Sequence, residues 1–435
     1  MFIKINGSAG YGKTHKLIED VKTEYKHNKD NILVITPTNK AAAVLNNRFK
    51  ESGLPQIAKT LHSTIYCWRK TDIIIGFSIE REFDEKTNKF AVNEDGSPKF
   101  TKVPEYKWER MVNVEVLNNA VVFVDESSMV QSEVWHDLIE SDCAAKIRAY
   151  GDEKQLPPIE KFNELNDSVK PYYKFWHKFD QTVLFLNRNH RQSGDLKRMV
   201  ETIEMSLFAK DSNKSIPVEL FYGNNLTMPV WRLPDQVLLN EILAADMVIT
   251  PHNVVRNLVN QISRKARARA ESRDYSELPV VGDKIIFTSS IKEVVTTGVG
   301  AYQRVVVAKN TTAVIDHIYD VSVDGIDNNI VIDFTDENGK KFFKKNLALT
   351  DINGKKNYYK RPTFRYSYAI TVHSSQGAQW ENVLFLDGYW KNDAEKLRYV
   401  AITRASKNLI VLTEVQHKID DANPMLNPLY RLNQQ

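Results

Sequence analysis

Cysteine is almost absent from this chain: Cys67 and Cys143 are the two in 435 residues, and neither has a second cysteine nearby. They fit no zinc pattern, so both read as small buried hydrophobes in a reducing compartment. No apolar run approaches membrane-spanning length, so no membrane partner is expected. A strand beginning at residue 2 leaves no room for a signal peptide, and a cytoplasmic location is expected. No internal repeat and no low-complexity tract interrupts the chain. Excess charge is small as well, with 59 Lys+Arg against 55 Asp+Glu and a net +4, so any nucleic-acid surface has to be a local patch. A composition of 42% hydrophobic and 26% charged residues excludes wholesale disorder. The length allows roughly two to four domains.

What is present begins at once. Residues 7–14 read "GSAGYGKT", the G-x-x-x-x-G-K-T loop that grips nucleotide phosphates. "FIKI" before it reads as a strand, and Leu17, Ile18, Val21 and Tyr25 after it recur at helical spacing. Gly7, Gly10 and Gly12 let the backbone curl so that its N–H groups face an anion. Lys13 is placed to reach the β- and γ-phosphates, and the Thr14 hydroxyl to sit on Mg²⁺.

Short β-rich runs alternate with helical segments through the first half ("NILVIT", "AVVFVDE", "KIRAYGD", "TVLFLN") and again in the second ("DMVITP", "YAITVH", "NVLFLDG", "NLIVLTE"). That rhythm predicts two tandem α/β domains with parallel sheets, divided near residue 193. Residues 71–104 break it with alternating stretches and turn residues. Residues 284–350, rich in Val, Ile, Thr and Phe, look like a small inserted β-barrel. "VVFVDESS" puts Asp125 and Glu126 at a strand end, one to hold Mg²⁺ and the other to orient water. "GDEKQLPPI" places Gln155 where it can sense the γ-phosphate or water. Arg191 in "RNHRQ" and Arg404 in "AITRA" are isolated cations suited to charge that develops in phosphoryl transfer. A guanine-reading N-K-x-D motif is missing, which disfavours a GTP switch. A second α/β domain disfavours a small-molecule kinase.

In order, "GSAGYGKT", "TPTNKAA", "KTLHS", "VDESSM", "GDEKQLPPI", "RNHRQ", "YAITVHSSQGAQWENV" and "YVAITRA" resemble the motif series of superfamily 1 helicases. "QLPP" and "TVHSSQG" are similar to the RecD-like and Dda-like branch rather than the UvrD-like one. The resemblance implies two RecA-like domains with ATP between them and single-stranded DNA across their tops. It implies a domain plan of 1–70 and 105–192 for the first RecA-like domain, with 71–104 as a β-hairpin insertion. The second RecA-like domain would comprise 193–283 and 361–435, with 284–360 as an SH3-like barrel. Lys13, Thr14, Asp125, Glu126, Gln155, Arg191 and Arg404 would form the ATPase site. Thr38, Asn39, Thr60, His62, Thr371, His373 and Gln376 would touch DNA or couple it to nucleotide. Movement from 5′ to 3′ follows from the branch, and replication, recombination or repair from the family. The chain is expected to act as a monomer on single strands and junctions, alongside single-strand-binding or replication proteins. The compact build is similar to phage-encoded members.

Two features depart from the family. The glutamine-containing segment that reads adenine usually lies upstream of the phosphate loop, where this chain has Met1 to Asn6. Gln379, two residues past Gly377, replaces an acidic residue that holds ribose in many relatives; an amide can still bond a hydroxyl. The cation-rich run "RKARARAESR" (264–273) either binds phosphates or forms a solvated helix face. Trp380 either stacks on a base or packs in a core. Competing functions are a translocase that does not unwind alone and a DNA-binding module with a decayed ATPase.

In related helicases the interval 71–104 holds a β element that splits the duplex. Ile73, Ile75, Phe77 and Ile79 alternate here, and Phe83 and Phe90 flank the first turn. Those two rings either form a wedge or pack internally. A stacked aromatic replaces roughly 1–3 kcal/mol of base stacking, enough to compete with one base-pair step. Replacing residues 80–94 with a short Gly-Ser turn should leave DNA-stimulated ATP hydrolysis intact while strand separation falls steeply. Unwinding of a tailed duplex at the parental rate would show that the segment is no wedge.

Overall fold

The strand Phe2–Gly7 has its last four residues buried, as a central parallel strand covered on both faces requires. The computed structural model describes residues 1–434 apart from 28, 30, 82, 85–88, 91–92, 94–98, 179–182, 187–190, 210–213, 298–299, 324–327, 351–360, 389–392 and 416–426. The first sheet has six parallel strands in the order Val183–Leu186, Phe2–Gly7, Lys146–Gly151, Val121–Val124, Ile32–Thr36 and Ala58–Thr60. Because every strand points the same way, the phosphate loop, Thr38, Asp125 and Gln155 all emerge on one edge. The helices Lys13–Tyr25 and Asn39–Glu51 cover one face through Leu17, Val21, Leu45 and Phe49. Trp135, Leu138 and Trp176 cover the other.

The second sheet runs Phe221–Tyr222, Asn225–Pro229, Ala405–Val415, Trp380–Gly388, Met247–Thr250 and Ala369–Thr371. It is parallel except at its first pair. Gly194–Phe208 and Ala394–Ile402 pack on one face, and Asp235–Ala244, Asn253–Ala270 and Pro428–Gln434 on the other. Trp380 packs against the first of these cores.

The inserted barrel closes from Lys284–Phe287, Thr312–Val323, Asn328–Asp336, Lys341–Leu349 and Thr363–Tyr366. Its last strand therefore lies beyond residue 360. Phe287, Phe334 and Phe364 fill it, each wholly buried. In the first insertion, Tyr66–Arg81 pairs antiparallel with Phe100–Val112, so the ribbon is longer than the interval 71–104. Register shifts between Lys70 and Gly76 interrupt the alternation, and the neighbours Ile73 and Ile74 are both exposed. A bulge inserts a residue and so breaks the period of two. Phe83 pairs with Phe90 in a two-residue ladder; their side chains lie outside the described residues.

The cation-rich run is structural. Arg264 is buried, with its guanidinium 3.8 Å from the Tyr366 ring centre and 3.2 Å from Asp283, and it donates to the Leu278 carbonyl at 2.6 Å. Arg267 pairs with Asp283 and Glu271, and Arg273 with Glu271. These contacts anchor the root of the barrel on the helix Asn253–Ala270. Asp283→Ala leaves a buried arginine without its carboxylate and should destabilise the second domain by about 3–5 kcal/mol. The exposed Glu271→Ala should cost far less, because solvent screens its ion pairs. Chemical denaturation of the two variants checks the ranking.

Candidate active site and adjoining groove

The phosphate loop turns because Gly10 and Gly12 sit at φ 84° and 81°, a region that side-chain-bearing residues avoid. Gly12 precedes the helix Lys13–Tyr25, so the helix N-terminus faces the loop and favours an anion there. Lys13 folds back and donates to the carbonyls of Gly7 at 2.6 Å and Ser8 at 3.1 Å. Its ammonium also stands 3.9 Å from Asp152.

The loop opens into a cavity of about 410 Å³ between the two sheets. Gly10, Gly12, Lys13, Thr14, Asp125, Glu126, Gln155 and Arg191 line it from one side, and Gly377, Gln379 and Arg404 from the other. Asp125 is buried, and desolvation together with its neighbour Glu126 pushes its carboxyl up to about 7. Glu126 takes a left-handed backbone conformation, φ 48°, and its buried Oε2 has no hydrogen-bond partner among the described residues. The Thr14 hydroxyl and these two carboxylates form an oxygen donor set that suits a hard cation such as Mg²⁺.

Arg404 is 3% exposed and is held by neutral groups: the carbonyls of Val400 and Ala378 and the hydroxyl of Thr403. Burial, with Arg191 alongside, pulls its guanidinium down to about 10. Arg191 donates to the Thr403 carbonyl at 3.1 Å, which brings the two arginines to one place. Burial lowers Arg191 too.

A second cavity of about 330 Å³ adjoins the first and is lined by Thr38, Asn39, Thr60, His62, His373 and Gln376. Ala41, Glu126 and Gly377 line both cavities. Thr38 caps the helix Asn39–Glu51 by accepting from the Ala41 N–H at 3.1 Å. Burial lowers the His373 imidazole below its ordinary range. Thr371 stands apart from this lining: it is buried, and its hydroxyl shares a 3.0 Å hydrogen bond with Ser374. Gly7 ends its strand behind the loop and does not line the cavity either.

Four side chains escaped the sequence reading. Asp152 follows a strand end three residues before Gln155, a signal like that of Asp125. Lys40, inside "TPTNKAA", reaches the barrel, donating to the Asn310 carbonyl at 3.0 Å and pairing with Glu337 at 3.0 Å. Ser290, Lys309 and Asn310 thereby give the groove a third wall. Arg48, nine residues past Asn39, lines the first cavity. Tyr399 reaches the phosphate loop from the other domain. Tyr399 opens the motif "YVAITRA"; nothing in the local pattern marks Arg48.

Residues 1–161 match the family described as AAA domain, and residues 366–412 the UvrD-like helicase C-terminal domain. An uncharacterized protein of Methanocaldococcus jannaschii is 25% identical to 95% of this chain, which spans 37% of that protein's length. Among solved structures, the Pif1 helicase from Candida albicans is similar with a TM-score of 0.47 and 15% identity, over 95% of this chain and 90% of that one. The Bacteroides Pif1 helicase in complex with ADP-AlF3 and ssDNA has a TM-score of 0.46 and 17% identity, over 95% and 89%.

Arg191→Ala and Arg404→Ala should each lower nucleotide turnover about a thousand-fold, the scale of an arginine that stabilises phosphoryl transfer. Steady-state hydrolysis measures this, and a change within a few-fold in both would leave them as packing residues.

Proposed function

We infer that this chain, which belongs to the superfamily 1 helicases, hydrolyses ATP between its two α/β domains to move 5′ to 3′ along single-stranded DNA and open duplex ahead. The observation that carries this reading is the shared wall of the two cavities. Glu126 and Gly377 face both the phosphate loop and the groove, so a strand in one cavity and a nucleotide in the other press on the same residues. A change in either is felt by both.

The chemistry follows from the groups in place. The loop N–H groups and the helix N-terminus hold the phosphates. Lys13 must leave the Gly7 and Ser8 carbonyls to reach them. Thr14 and Asp125 would hold Mg²⁺, which would supply charge neutralisation to the bound phosphates. Glu126, whose buried Oε2 has no partner among the described residues, accepts a proton from the attacking water, and Gln155 orients that water. Arg191 and Arg404 meet the charge that grows on the transferred group. Gln379 lines the ATP cavity beside Gly377 and can bond a ribose hydroxyl.

In the groove, Thr38, Asn39, Thr60 and Gln376 offer hydroxyls and amides, which position phosphates without reading bases. Thr371 acts one step back, by holding Ser374. The chain acts as a monomer on single strands and fork junctions, in replication, recombination or repair. Polarity follows from the branch that "QLPP" and "TVHSSQG" resemble.

Lys13→Ala should abolish hydrolysis and leave single-strand binding within about threefold, because phosphate grip and strand contacts use different residues. Equal loss of both would point to misfolding. Duplexes with either a 5′ or a 3′ tail decide the polarity; unwinding from the 3′ tail alone would reverse it. Failure of single-stranded DNA to raise wild-type ATP hydrolysis would overturn the motor reading.

A further inference from the structure

The outer limb of the phosphate loop belongs as much to the second domain as to the first. Ala9 is buried in the apolar cluster formed by Leu397, Val400 and their neighbours. Its N–H donates at 2.7 Å to the Tyr399 hydroxyl, and that hydroxyl donates at 2.9 Å to Asp152. Asp152 is the carboxylate that faces Lys13. Beside it, the Ser8 hydroxyl donates to Glu204 at 3.4 Å, and Glu204 also pairs with Lys154. Tyr399 is wholly buried, and its ring meets Phe208 edge-on at 5.6 Å. It stands on the helix Ala394–Ile402, five residues before Arg404.

We propose that Tyr399 is a positioning residue, its hydroxyl tying the phosphate loop to the helix that leads into Arg404 and so setting where that arginine stands relative to Lys13. The proposal rests on the ATPase reading of the cleft. A buried hydroxyl with one donor and one acceptor fixed has a single orientation. Burial, with Asp152 alongside, raises the phenol well above its ordinary value and keeps it protonated. A rotation of the helix is thereby transmitted to Ala9 and Asp152 together. Without the hydroxyl, packing persists while the loop amide and the carboxylate both lose their partner.

Tyr399→Phe removes that oxygen and keeps the ring. Losing a buried hydrogen-bonded group of this kind should lower ATP turnover at saturating single-stranded DNA about tenfold to a hundredfold. The KM for ATP and the DNA dissociation constant should stay within about threefold, since Tyr399 lines neither cavity. Amide hydrogen exchange in the nucleotide-free protein should be faster over residues 7–12 and unchanged in strands remote from the cleft. A merely structural tyrosine would instead lower thermal stability with turnover per folded molecule intact, and that result overturns the proposal. Unaltered exchange over residues 7–12 overturns it as well, and does so whether or not the wild-type protein hydrolyses ATP. Absence of hydrolysis in the wild type would fell the ATPase reading separately, with the exchange comparison still deciding the tie.

Discussion

Two carboxylates and two arginines crowd one cleft, with Asp125 and Arg404 buried, and the rest of the molecule is arranged around that condition. Asp125 and Glu126 crowd one wall, where desolvation holds a proton on Asp125 to about pH 7. Arg191, from that same side, meets Arg404 from the other, and among the described residues Arg404 donates to carbonyls and a hydroxyl. Each cluster would be stabilised by an opposite charge of the right size. A cation at the carboxylates and a polyphosphate at the arginines answer both at once. Water is a poor substitute there, because a low-dielectric cleft gives preorganised charges far more effect than solvent does.

Keeping such charges buried needs a rigid frame on each side. Parallel strands supply it: every strand in a sheet ends on the same edge, so residues far apart in sequence converge without long loops. The helix Ala394–Ile402 then crosses to the first domain through Tyr399. Lys40 crosses in the other direction, to the barrel carbonyl of Asn310 and to Glu337. The two ties lie on different sides of the first sheet's active edge, one at the nucleotide cavity and one at the groove. Domain motion in this chain therefore has to work against both.

The phosphate loop, the acidic strand end and the order of motifs were legible because each is a local pattern with a local cause. A glycine at positive φ, a carboxylate closing an apolar strand and an alternation of strand with helix need no distant partner to be read. The register shifts near Ile74, the closing strand at Thr363–Tyr366 and the burial of Arg264 were not legible. Each is settled by what packs opposite: a partner strand, the first strand of the barrel, and Asp283 with Tyr366. The run 264–273 shows the point most directly. Its charge pattern suits solvent or a phosphate, yet Arg264 lies against an aromatic ring with almost no exposure.

By itself, the amino-acid sequence determined the fold class, the two α/β units, the loop that faces phosphates and the carboxylates that close an apolar strand beside it. These follow from spacing of two and 3.6 residues and from backbone conformations that few residue types adopt. Tertiary structure alone decided which of those groups meet. It set Arg191 against Thr403, turned Thr371 inward to Ser374, gave the groove its third wall and placed Tyr399 on the Ala9 amide. Those contacts join residues up to 390 positions apart. Their geometry depends on how two separately folded sheets pack, and no local pattern encodes that.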